Sequence, residues 1–137
     1  QKMIYYKLNL LNITENEWYG SKMCKIKHLK KPQWLRNQKV KKYPFYRLDK
    51  IDWNIVNNGG WHFSNIMTPN EISEKIKSFA HSEFNKPEFT DVEIIKKKIN
   101  LKQDLFGRNF IFEKIIKNED LPKYVVQNQK KFSEFLI

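Results

Sequence analysis

Gly59-Gly60-Trp61-His62-Phe63-Ser64 gathers, in six residues, a backbone free to take positive φ, a flat indole, a ring nitrogen and a hydroxyl. Such a set can approach a ligand closely, stack on the apolar face of a ring, and bind a metal or move a proton. His62 is therefore the leading candidate for a catalytic or metal-ligating residue, with Gly59, Gly60, Trp61 and Ser64 as substrate contacts. A strand histidine bonded to backbone and a core tryptophan are the structural alternatives, and the residues alone leave them open. His28 and His81 have no comparable setting.

A second candidate lies downstream. On a helix running from residue 68 to 84, at roughly 100° per residue, Glu83 falls between Ile76 and Phe79 on the apolar stripe, while His81 falls opposite Ile72. A carboxylate on a buried face is costly unless it is paired or used. Glu83 is thus a candidate for acceptor binding or a catalytic base, unless the last turn frays and releases it to water. The three arginines, Arg36, Arg47 and Arg108, stand out in a lysine-rich chain. Arg36 and Arg108 are candidates for contacts to a diphosphate or carboxylate, with a structural salt bridge as the alternative. The chain contains no phosphate-binding glycine loop, no Gly-x-Ser-x-Gly, no His-Glu-x-x-His and no Asp-x-Asp. It holds no complete catalytic constellation.

The elements that must position these residues are legible in part. Residues 3–11 read as a buried strand and 21–29 as a looser one; Pro32 opens a short helical turn. Strand-like residues 43–56 lead to an Asn57-Asn58-Gly59-Gly60 turn, with 61–66 as the return strand. Thr68-Pro69-Asn70-Glu71 is a capping box with proline at the first helical position, followed by Ile72, Ile76, Phe79, Ala80 and Phe84 at helical spacing. Thr90-Asp91-Val92-Glu93 predicts a second helix by the same box. Leu105 to Arg108 turns into a strand over 110–116, and 122–136 reads as a third helix. Strands come first and helices later: one mixed α/β domain without repeats.

Composition adds limits. The 137 residues carry a net charge of +11 and one cysteine, Cys24, so no internal disulfide can form. Of the 26 basic residues only 3 are arginine, which suits a solvated surface better than a nucleic-acid reader. No apolar run approaches the roughly 20 residues of a membrane span, and a reducing, cytoplasmic setting is expected.

The block 57–64, the helical stretch 74–85 with Ser78-Phe79-Ala80-His81, and Asp104-Leu105-Phe106-Gly107-Arg108 together resemble the family 17 glycosyltransferases. These are similar to the β-1,4-mannosyl-glycoprotein β-1,4-N-acetylglucosaminyltransferases that add bisecting GlcNAc. Trp18-Tyr19-Gly20-Ser21-Lys22 and Trp34-Leu35-Arg36 look like the same family's middle section, so the likeness runs through nearly the whole chain. It implies an α/β glycosyltransferase A-type (Rossmann-like) fold, a mostly parallel sheet with flanking helices, and a UDP-GlcNAc donor with a glycan acceptor. It also implies transfer with inversion and a divalent metal, Mn or Mg, on the diphosphate. The family's Asp-x-Asp lies upstream of the matching part, so residues 1–137 are expected to be the C-terminal part of one glycosyltransferase domain. In that part His62 would approach the metal or diphosphate, Glu83 the acceptor, and Trp61, Ser64 and Arg108 belong to the shared signature. The setting would be microbial or viral surface-glycan synthesis in the cytoplasm, or a Golgi membrane in a eukaryote. The competing expectations are a basic nucleic-acid or polyanion-binding module using Lys30, Lys31, Lys39, Lys41 and Lys42, and a non-catalytic sugar-binding remnant.

Overall fold

A computed structural model describes residues 1–14, 18–38, 46, 54–78 and 82–137. The expected strand over 43–56 lies almost wholly outside these residues, as do His81, Arg47, Phe79 and Ala80. The architecture is mixed α/β: a four-stranded mixed sheet with helices. Strands β1 (Lys2–Tyr5), β2 (Leu10–Asn12), β3 (Trp61–Ser64) and β4 (Phe112–Lys114) lie in the order β3-β1-β2-β4.

The apolar run 3–11, expected as a single strand, is instead a tight antiparallel pair, with Ile4 opposite Leu11. The chain reverses where Tyr6 takes φ 60°, an uncommon left-handed conformation for a bulky side chain. Tyr6 and Leu8 are buried within the bend, so its apolar residues read like strand. The Tyr6 hydroxyl accepts the Leu105 N–H at 3.1 Å, which helps hold the strained position. Burial, with the Asp104 charge adding to it, pushes this hydroxyl far above the usual tyrosine range.

β3 (Trp61–Ser64), expected as a return strand, has β1 as its partner among the described residues. It pairs in parallel with β1, setting Met3 beside His62, Ile4 beside Phe63 and Tyr5 beside Ser64. The sheet is thus not mostly parallel: β1–β2 and β2–β4 are both antiparallel. One face carries Met3, Tyr5 and Leu10, which pack with Ile72 and Ile76 of α2 (Pro69–Lys77) and Ile95 of α4 (Val92–Asn100). The other carries Ile4, packed with Ile115, Leu121 and the half-buried Trp61 and Val126. Alternation along each strand produces this two-sided burial.

The first helical signal is realised as written. The Thr68 hydroxyl takes the Glu71 N–H, and the Glu71 carboxylate takes the Thr68 N–H at 2.7 Å. The Thr68 N–H, joined by the Thr68 hydroxyl donating at 2.8 Å, holds the Glu71 carboxyl below its ordinary pKa, so its contribution is present at neutral pH and is lost as pH falls through that lowered value. Thr68→Ala is expected to cost about 1 kcal/mol of stability, read as a lower urea midpoint with an unchanged slope; a shift under about 0.3 kcal/mol would show the cap to be idle.

The second box is displaced by one residue. Asp91 is the N-cap of α4, accepting from Glu93 and Ile94, whereas the Thr90 hydroxyl donates back to Lys86 O and closes the short α3 (Pro87–Thr90). The expected strand over 21–29 is an exposed stretch with one 3₁₀ turn, Ile26–His28, before α1 (Pro32–Asn37). The expected C-terminal helix is only α5 (Lys123–Gln127), followed by turns and a 3₁₀ turn, Ser133–Phe135. Among the described residues, no helix is long and apolar enough to cross a membrane.

Candidate functional site

The double-glycine bend does what its residues predict. Asn58 takes φ 52° and Gly60 φ 122°, a value that side chains rarely tolerate, and the Gly60 carbonyl receives the Lys2 N–H at 2.9 Å. This bond joins the turn to the start of β1 and launches β3 in parallel register.

Strand alternation then separates the two rings expected to act together. His62 and Ser64 share the sheet face of Met3 and Tyr5; Trp61 and Phe63 share that of Lys2 and Ile4. The indole N–H of Trp61 donates to the Asp120 carbonyl at 2.8 Å, and the Asp120 carboxylate pairs with the Lys2 ammonium. Lys2 holds the Asp120 carboxyl below its usual pKa. Trp61 is therefore a half-buried anchor for the segment leading into α5. It does not share a cleft with His62.

His62, half-buried, meets a different aromatic. Its ring lies 4.0 Å, centroid to centroid, from that of Trp18, tilted by 50°. Trp18 is held from its other end by the backbone of Gly20, where any Cβ would overlap the six-membered ring of the indole. Trp-x-Gly is thus a packing unit. Gly20→Ala is expected to displace Trp18 and change its fluorescence maximum; an unaltered emission spectrum would show that the indole does not rest on Gly20.

Trp18 forms one wall of a recess of about 550 Å³. Its other walls come from the start of β1, the end of β2, residues 19–23 and residues 54–59. Gly59 lines it, as do Asn57 and Asn58 of the same turn; the other proposed site residues do not. Asn12 also lines it. That side chain is 1% exposed; its Oδ1 accepts the Thr14 N–H at 3.0 Å, and its Nδ2 has no hydrogen-bond partner.

The remaining candidates are dispersed. Helix α2 ends at Lys77, capped at Ser78, and Glu83 sits exposed in the Ser82–Phe84 3₁₀ turn. The helical wheel that carried Glu83 onto the apolar stripe therefore fails, because the helix stops before reaching it. Arg36 is exposed on α1, and its carbonyl receives the Lys22 ammonium at 2.8 Å. Arg108 precedes β4 and turns one edge to Asp104, with Nε to Oδ2 at 3.0 Å and Nη2 to Oδ1 at 2.6 Å. Its guanidinium lies 4.1 Å from the Phe110 ring centroid. The structural alternative thus holds for that edge. Half of the Arg108 side chain remains exposed.

The metal expectation places its acidic ligands upstream of this chain and only His62 within it. Among the described residues, no three His, Cys, Asp or Glu side chains come together to hold an ion, so His62 is at most one ligand. Trp18, Gly20, Asn12 and Asp104 are the residues that reasoning from sequence undervalued. Asp104 and Arg108 stand four apart, which was the available signal for their pair. The partnering of Trp18 with His62 had none, because 43 intervening residues bring the two rings together only in the fold. Family models, curated proteins and solved structures offer no match to this chain.

Proposed function

We propose that the chain belongs to a UDP-sugar-dependent, inverting glycosyltransferase that moves N-acetylglucosamine or a related sugar onto a glycan acceptor. The reading joins the family 17 resemblance and its A-type, Rossmann-like fold to one structural observation. The recess beside Gly59, walled by Trp18 with His62 against it, has the size and the mixed apolar and amide lining of a small-molecule site.

In such a transfer an acceptor hydroxyl attacks the anomeric carbon, the bond to the diphosphate oxygen breaks, and UDP departs with the electron pair. The acceptor proton passes to a base. His62, which packs against Trp18 and does not itself line the recess, is the candidate for that base. Glu83 and Arg108, away from the recess lining, remain candidates for the acceptor's outer contacts. A bound divalent metal would neutralise the leaving diphosphate; the described residues do not make its ligand set. Surface-glycan synthesis in a microbial or viral cytoplasm goes with this reading through the composition.

The test is UDP release by the full-length protein from UDP-GlcNAc with Mn and a panel of sugar acceptors, since residues 1–137 alone are not expected to turn over without the upstream half. Turnover supports the reading. Tight oligonucleotide binding with a steep salt slope and no affinity for UDP would favour instead a polyanion-binding module, for which exposed Lys30 and Lys31 are available. Lys39, Lys41 and Lys42 lie outside the described residues.

A further inference from the structure

We infer that the recess beside Gly59 takes an uncharged pyranose ring, the sugar side of the reaction, and does not hold the nucleotide diphosphate. The inference rests on the transferase reading and narrows it.

The described lining favours an uncharged ligand. The described lining residues include no carboxylate and no arginine. The described walls carry two lysines, each with an acceptor: Lys2 pairs with Asp120, and Lys22 donates to the carbonyls of Arg36 and Gln38. A diphosphate calls for uncommitted cations or a fork of guanidinium donors. Arg36 and Arg108 stand elsewhere.

What remains on the walls is amide. Asn12, Asn54, Asn57 and Asn58 line the recess, and each amide both donates and accepts, as a sugar hydroxyl does. The Asn12 Nδ2 is a buried donor without an acceptor, a costly state that a ligand oxygen would relieve. Trp18 adds a rigid apolar wall, fixed between Gly20 and His62, suited to the C–H face of a pyranose. Tyr19, Met23 and Val56 extend the apolar rim.

The experiment is saturation-transfer NMR on the purified protein with the methyl glycosides of N-acetylglucosamine and mannose, methyl glucuronide, and UDP. Two variants accompany it. Trp18→Leu removes the aromatic wall; Asn58→Gly removes an amide while keeping a residue at ease with φ 52°, and serves if the first fails to fold. The neutral glycosides should bind, weaken at least tenfold in the folded variants, and persist when UDP is added. Glycoside binding unchanged in Asn58→Gly and in folded Trp18→Leu would overturn the inference, as would UDP displacing the glycosides or losing its own affinity in these variants. Turnover of UDP-GlcNAc without glycoside binding at this recess would sink the inference and leave the transferase reading standing. Glycoside binding that the variants weaken, without any turnover by the full-length protein, would support the recess and remove the transferase.

Discussion

Asp104→Ala should lower stability by about 3 kcal/mol. Asp104 is 5% exposed, and its carboxylate accepts the Phe106 N–H at 2.9 Å and the Arg108 N–H at 3.1 Å, besides two guanidinium hydrogens. Alanine leaves two backbone donors and half of a guanidinium without their acceptor. The exposed side of Arg108 limits the loss, because that charge can turn to water. The turn also holds Leu105, 1% exposed in the main core, and presents its N–H to Tyr6. Loosening it should therefore reach the bend between β1 and β2. The midpoint of thermal unfolding should fall by roughly 10 °C, and Asp104→Asn, which keeps one acceptor oxygen, should fall between. A loss below about 1 kcal/mol by urea titration would show that the clamp is dispensable.

The second large effect belongs to the proposed transfer reaction and is read on the full-length protein. His62→Ala should reduce UDP release by at least about 100-fold, the scale of a lost proton-transfer or leaving-group contact, while the circular dichroism of the fold is retained. Strand β3 is held by backbone bonds to β1 that do not involve the imidazole. The Trp18 wall loses its neighbour, so a modest rise in KM should accompany the fall in kcat. Turnover equal to the parent protein would take His62 out of the mechanism and leave only its contact with Trp18. Measuring His62→Ala and Trp18→Leu together separates the two roles: a wall residue changes chiefly KM, a reacting one chiefly kcat.

Local chemistry was legible wherever neighbours in sequence satisfy one another. The Thr68 box, Pro69 at the first helical position and the Asn57-Asn58 turn need only residues within four positions. The boundaries misread from sequence share one cause. Thr90 and Asp91 are both good caps, and the choice fell to Asp91 because the preceding turn from Pro87 consumed the Thr90 hydroxyl. The run 3–11 hid a reversal because its bend is buried, so the usual polar punctuation of a turn is missing. Glu83 was carried onto a stripe by a helix taken to be longer than it is.

For the candidate site, residue types alone determined that the 57–64 block would combine a left-handed bend with a strand, since Gly60 and Asn58 accept backbone angles that other residues resist. Adjacency on that strand also places Trp61 and His62 on opposite faces, which the expectation of one shared site overlooked. Which face met a cavity was settled only by the tertiary structure. The parallel pairing with β1, the arrival of Trp18 against His62, and the closing of the recess by residues 54–59 each join parts of the chain far apart in sequence. Periodicity describes how one segment divides apolar from polar; it carries no information about which distant segment will lie against the apolar side.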